Sequence, residues 1–238
     1  MSGSPASDFE VQVAGVAALH DPVRRALYLH VARSPSPVSR DEAANAVGVQ
    51  RALAAFHLDK LADEGLLDFE FRRLTGRTGP GAGRPAKLYR RSGRQIDLSL
   101  PPREYDLAGR LLAQAIEAAD QHGGVRQALE AVSHDFGRGL GHAAGARAGG
   151  RASVAKRREA LLAVLREHGF EPRLVGGDVV LANCPFHALA RQFTDLVCGM
   201  NLHLMEGVRS AMKLRDGTLQ PRLEPEPGFC CVRFCSAA

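Results

Sequence analysis

No stretch of this chain approaches the roughly 20 consecutive apolar residues needed to cross a bilayer. Met1 to Asp8 are small and polar, without the basic start and apolar stretch of a secretion signal. A cytoplasmic protein with no membrane partner is therefore expected. Cysteine is absent from the first 183 residues, and the five present are Cys184, Cys198, Cys230, Cys231 and Cys235. An odd number in a reducing compartment argues against a disulfide framework. Acidic residues are absent between Phe71 and Ile96, where Arg72, Arg73, Arg77, Arg84, Lys87, Arg90, Arg91 and Arg94 stand. So many like charges repel one another unless an anion lies against them. No internal repeat is found, and no cysteine pair has the C-x-x-C spacing of a zinc knuckle.

The 238 residues allow two modest domains, and the net charge of +5 is compatible with an anionic partner. The fold class expected is α+β, mostly helical, with residues 1–18 as a flexible tail. Asp21-Pro22 marks a helix start, with Val23, Leu27 and Val31 on one face and Ser34-Pro35-Ser36-Pro37 as its end. Ser39 and Glu42 form a capping box for a second helix whose narrow apolar face is Ala43, Ala44 and Val47. Gly48 breaks it. A third helix follows over about 50–64, with Leu53, Leu58 and Leu61 as core contacts. Leu66 to Phe71 alternates as a strand, and Ala86 to Arg90 reads as its return.

Two short helices joined at a glycine, then a hairpin with a basic tip, are the parts of a winged helix-turn-helix. Residues 19–100 are assigned to such a DNA-binding domain. Gln50 and Arg51 begin the third helix, the end that approaches base edges in the major groove. Arg40 is a candidate phosphate contact. His57 and Lys60 either touch phosphate or pack. Arg77, Arg84 and Lys87 would line the backbone from the wing, with an Arg at its tip entering the minor groove.

Residues 101–152 are read as a helical dimerisation and linker region: a helix from Arg103 to Ala119, another from Val125 to Leu140, and a mobile Gly/Ala-rich connection over 141–150. Residues 153–238 form the cysteine-containing domain. It opens with a helix from Ser153 to Glu167, followed by a hairpin around Gly176-Gly177-Asp178. A helix over Leu189–Val208 and a strand over Phe229–Phe234 complete it. Cys184, Cys198, Cys230 and Cys231 come from a loop, a helix and a distant strand, and such thiolates can hold a metal centre. Successive strand residues face opposite sides. Cys230 and Cys231 therefore reach one site together only if the strand is irregular there, and Cys230 is slightly favoured. If three cysteines ligate, the fourth position needs solvent or another donor, for which His187, Asp195, His203 and Glu206 are near in sequence. Cys235 reads as a spare thiol.

Several segments resemble one family. Asp21-Pro22-Val23-Arg24-Arg25, Ser39-Arg40-Asp41-Glu42-Ala43-Ala44, Phe56-His57-Leu58-Asp59-Lys60-Leu61 and Gly83-Arg84-Pro85-Ala86-Lys87-Leu88-Tyr89-Arg90 look like ArsR-like regulators of the SufR type. Asn183-Cys184-Pro185-Phe186-His187, Val197-Cys198 and Cys230-Cys231 resemble the same group. The resemblance implies a homodimeric repressor on a palindromic double-stranded DNA operator. It also implies a 4Fe–4S iron–sulfur cluster and control of iron–sulfur assembly genes. A zinc- or thiol-sensing repressor without a cluster is the first alternative, and a non-specific structural DNA binder the second. An enzyme is not expected, because a Cys184/His187 pair lacks a third, orienting group.

Overall fold

The computed structural model describes residues 8–73, 84–212, 214 and 218–236. The described residues are α+β with two small antiparallel sheets, and the chain divides into two compact units, Met1–Leu98 and Ser99–Ala238. No described helix is long and apolar enough to cross a membrane.

The first unit contains α1 (Asp8–Ala18), α2 (Pro22–Arg33), β1 (Val38–Ser39), α3 (Arg40–Val47), α4 (Arg51–Asp63), β2 (Leu67–Arg72) and β3 (Ala86–Arg91). Asp21 caps α2 by accepting from the Arg24 amide at 2.8 Å. Ser39 caps α3 through the full reciprocal box: its Oγ accepts from the Glu42 amide, and Glu42 Oε2 accepts from the Ser39 amide at 2.7 Å. Gly48, at φ +74°, ends α3 in the left-handed region, where a side chain would be strained. Leu27, Val31, Ala43, Ala44, Ala54, Leu58, Leu61 and Tyr89 fill the core. The sheet runs β1-β3-β2, with Phe69 opposite Tyr89 and Phe71 opposite Lys87.

Two expectations change here. Residues 8–18 are a helix and not a tail. The Arg94 guanidinium donates to the Val11 carbonyl at 2.7 Å, the Asp97 amide donates to Gln12 Oε1 at 2.7 Å, and Gly15 lets Ile96 lie against the helix. Leu53 is not a core residue and is 42 % exposed. The buried stripe of α4 is Ala54, His57, Leu58 and Leu61, spaced i, i+3, i+4, i+7, and Leu53 stands one position off it.

The second unit contains α5 (Tyr105–Glu117), α6 (Ala119–His122), α7 (Val125–Ala148), α8 (Val154–Glu167), β4 (Pro172–Val175) and β5 (Asp178–Leu181). It continues with α9 (His187–Gln192), α10 (Thr194–Ala211), β6 (Gln220–Leu223) and β7 (Val232–Cys235). Its sheet runs β4-β5-β7-β6. Gly176 and Gly177, both at positive φ, make the β4–β5 turn. One core joins α5, α7, α8, α10 and the sheet, so the expected division at residue 152 is not present in the packing. The apolar stripe expected for dimerisation is largely spent inside this core: Leu107, Leu111 and Ala115 are buried, while Ile116 is exposed.

α7 continues to Ala148, through the segment expected to be a mobile connection. Its glycines are contact points. A Cβ at Gly137 would lie 1.9 Å from the Leu204 carbonyl oxygen, one at Gly141 2.2 Å from that of Val208, and one at Gly207 on α10 2.0 Å from that of His134. The two helices meet backbone to backbone, and only glycine permits that approach. The expected helix over 189–208 is divided at Phe193, whose backbone (φ −129°, ψ 54°) leaves the helical region between α9 and α10. The last strand begins at Val232, so Cys230 and Cys231 lie in irregular backbone.

Candidate functional site

Two constellations carry chemistry, one in each unit. In the first unit, α4 and the β2–β3 hairpin present a basic face. Arg51 opens α4 at the surface. Its Nε lies 2.6 Å from Asp41 Oδ1, but both side chains are well over half exposed, so the pair is weak and open to exchange. Gln50 is the N-cap residue and makes no side-chain capping bond. Ser39, Arg40, Arg51, Phe71, Arg84 and Lys87 help line a cleft of about 550 Å³. Lys60 pairs with Glu64 at 2.9 Å. His57 is buried. Its Nδ1 accepts from Arg24 Nε at 3.3 Å, so of its two expected roles the structure assigns packing. Arg77 lies outside the described residues.

Asp59 organises this face. Its carboxylate accepts from Arg40 of α3 and from Lys87 and the Tyr89 hydroxyl of β3, each at 2.6 Å. Lys87 Nζ also lies 3.7 Å from the centre of the Phe69 ring, a cation–π contact. Burial alone would raise the Asp59 pKa, but bonds from Lys87, Tyr89 and Arg40 prevail and hold it at about 2. Burial and the bond to Asp59 push the Tyr89 hydroxyl well above its ordinary range. Sequence reading missed Asp59 because a lone acid in a basic region gives no sign of which cations it meets. It also missed Phe56 and Phe71, each 62 % exposed. Aromatics turned outward beside arginines were the available signal.

In the second unit, four of the five thiols converge. Cys184 follows β5, Cys198 lies in the second turn of α10, and Cys230 and Cys231 precede β7. Cys184 lies near Cys230, Cys230 near Cys231, and Cys231 near Cys198, close enough for each pair to perturb the other's ionisation. The irregular backbone at 230–231 is what turns neighbouring side chains toward one place; a regular strand would part them. The neighbouring Cys230, then burial, pushes the Cys184 thiol far above its ordinary range. The neighbouring Cys184 favours the Cys230 thiolate, but Cys231 and burial prevail, and Cys230 is pushed up to about 12. Cys231, beside Cys198 and partly buried, is also pushed up to about 12, and the same proximity draws Cys198 down.

Polar groups approach two of the sulfurs, although the balance favours the neutral thiol at Cys184, Cys230 and Cys231. Asn201 Nδ2 donates to Cys230 Sγ at 3.2 Å, and the Phe186 and Val232 amides act to lower the pKa of Cys184 and Cys230. Asn201 is buried, and its Oδ1 has no hydrogen-bond partner. Of the other ligand candidates, His187 and Asp195 are exposed. His203 is bonded to Glu206 at 2.9 Å and faces Glu130 at 3.9 Å. Cys235 stands apart, with Sγ 3.7 Å from Glu224 Oε1.

Among the described residues, no three His, Cys, Asp or Glu side chains already enclose a point that would hold a single metal ion. The thiols form a row and not a closed tetrahedral shell. The donor set is of the chemical type that suits an iron–sulfur cluster: four soft sulfurs from three separate segments, one of them accepting from the buried Asn201 amide. No known family model matches the chain, and no curated protein or solved structure matches it.

Proposed function

We propose that the chain is a dimeric winged helix-turn-helix regulator that binds double-stranded DNA, with an iron–sulfur cluster held by Cys184, Cys198, Cys230 and Cys231. The observation that carries the reading is the convergence of those four thiols in a chain whose other unit offers a basic helix-and-hairpin face. The α3–Gly48–α4 corner supports placement of α4 in a major groove, with Gln50 and Arg51 at the entering end. Exposed Leu53 and Phe56 on α4 suit contact with thymine methyl groups. Arg40, Arg84 and Lys87 suit phosphates. Phe9, Val13 and Val16 form an outward apolar stripe on α1, which supports pairing of two copies on a palindromic site.

When bound, the cluster supplies a link between the cysteine segments that is sensitive to oxidants and to iron supply. The protein's part is to gather the sulfurs, donate to Cys230 from Asn201, and present α4 to DNA. Fixing the cysteine segments favours one arrangement of the chain, and DNA affinity follows only insofar as the two forms bind differently.

The test is anaerobic purification with iron and sulfide counts, followed by binding to duplexes selected from a random library. Expected are a brown protein, loss of iron in Cys184→Ser and Cys198→Ser, retention in Cys235→Ser, and preference for selected over random duplex. A colourless zinc protein would refute the cluster. Equal binding to selected and random duplexes, with a steep salt dependence, would leave only a structural DNA binder.

A further inference from the structure

The chain enters the second unit at Ser99, and the residues just beyond lie against the segment that carries Cys184. Arg103 donates to Asn183 Oδ1 at 2.6 Å and to the Cys184 carbonyl at 2.8 Å. Asn183 Nδ2 donates to the Pro102 carbonyl at 3.0 Å and to the Gly169 carbonyl at 2.5 Å. The Glu104 amide donates to the Pro185 carbonyl at 3.1 Å. Among the described residues, every hydrogen bond that reaches 102–104 from outside α5 and its N-cap comes from Asn183, Cys184 or Pro185. Asn183 is buried and bonded through both its oxygen and its nitrogen, so its orientation is fixed. There is little slack beside it: a Cβ at Gly169 would stand 3.1 Å from Pro102 Cβ.

We propose that Arg103 and Asn183 are positioning residues that convert occupancy of the thiol site into order of the 102–104 strap, and through it regulate DNA binding. The proposal rests on the thiol-site reading above. Without a ligand, the Cys184 side chain lies beside Cys230 with no side-chain hydrogen bond among the described residues that fixes it. A metal–thiolate bond at that sulfur holds the 183–185 backbone more firmly. The carbonyls of Cys184 and Pro185 are the acceptors that anchor Arg103 and Glu104, so the strap inherits that restraint.

The experiment compares amide hydrogen exchange over 99–106 in the full chain, empty and after anaerobic loading with ferrous iron and sulfide. Iron content and affinity for selected duplex are read on the same samples. In the wild type, loading slows exchange there by about tenfold, the scale of one charged hydrogen bond made firm. Arg103→Ala takes up the same iron, but the change in exchange falls below about twofold and the loaded and empty forms bind duplex alike. If Arg103→Ala loads and keeps the full wild-type change, the proposal is overturned. Should that variant fail to fold, Arg103→Met, which keeps the packing stem, is read by the same criteria. A wild type that takes up no iron overturns the thiol-site reading itself, and the iron count separates the two failures.

Discussion

Replacing Asp59 by asparagine tests the reasoning about the basic face most directly. The carboxylate takes three donors at 2.6 Å, and its loss leaves Arg40 and Lys87 side by side without their counter-charge. Lowering the Asp59 pKa from 3.8 to about 2 corresponds to about 2.4 kcal/mol if unscreened. The side chain is 39 % exposed, so water weakens the pairing, and about 1 kcal/mol is expected to remain. The folded-state pKa is depressed. The contribution is therefore complete above pH 3.8 and is lost as pH falls through about 2. Exchange of the Leu88 and Tyr89 amides, which report opening of β3, should be about fivefold faster in Asp59→Asn at pH 7. The difference should vanish near pH 2. A carboxyl titration by NMR should place Asp59 near 2. A difference that stays constant from pH 7 to pH 2, or a midpoint near 3.8, would refute the account.

Further outcomes follow from helix ends and helix contacts. Ser39→Ala removes one half of the α3 capping box and should cost about 1 kcal/mol, lowering the melting temperature of the first unit by about 5 °C. Gly207→Ala forces a Cβ to within 2.0 Å of the His134 carbonyl oxygen and should cost about 3 kcal/mol in chemical denaturation of the second unit. Gly139→Ala, on the partner helix α7 but facing open space, should instead stabilise by about 0.5 kcal/mol. Equal effects at the two positions would show that helix propensity and not close contact governs these glycines.

Features set by neighbours in sequence were legible. Asp21-Pro22, Ser39 with Glu42, Ser153, and the Gly176-Gly177 turn all act where their residue types place them, because a cap or a tight turn is a local transaction of backbone groups. Gly141, the first glycine of the 141–150 segment, misled for the opposite reason. Glycine weakens an isolated helix, but here Val208, far along the chain, requires it. The thiol site was legible in its members but not in its geometry. Alternation along a strand separates Cys230 from Cys231, and only a strand that starts three residues later than expected unites them. Arg40 and Lys87 could be marked as cations by sequence. That one aspartate holds both is a tertiary fact with no local signature.

The glycine-lined crossing of α7 and α10 bears on how the second unit can respond to events at its cysteines. Helices that touch through main-chain atoms have no compliant side chains between them to take up a shift. α10, which bears Cys198 and Asn201, is thereby keyed to α7 as a fixed anvil. Any rearrangement around the sulfurs has to be absorbed by the other three thiols, Cys184, Cys230 and Cys231, which hang on irregular chain. The immobile side sets the reference, and the loops do the travelling.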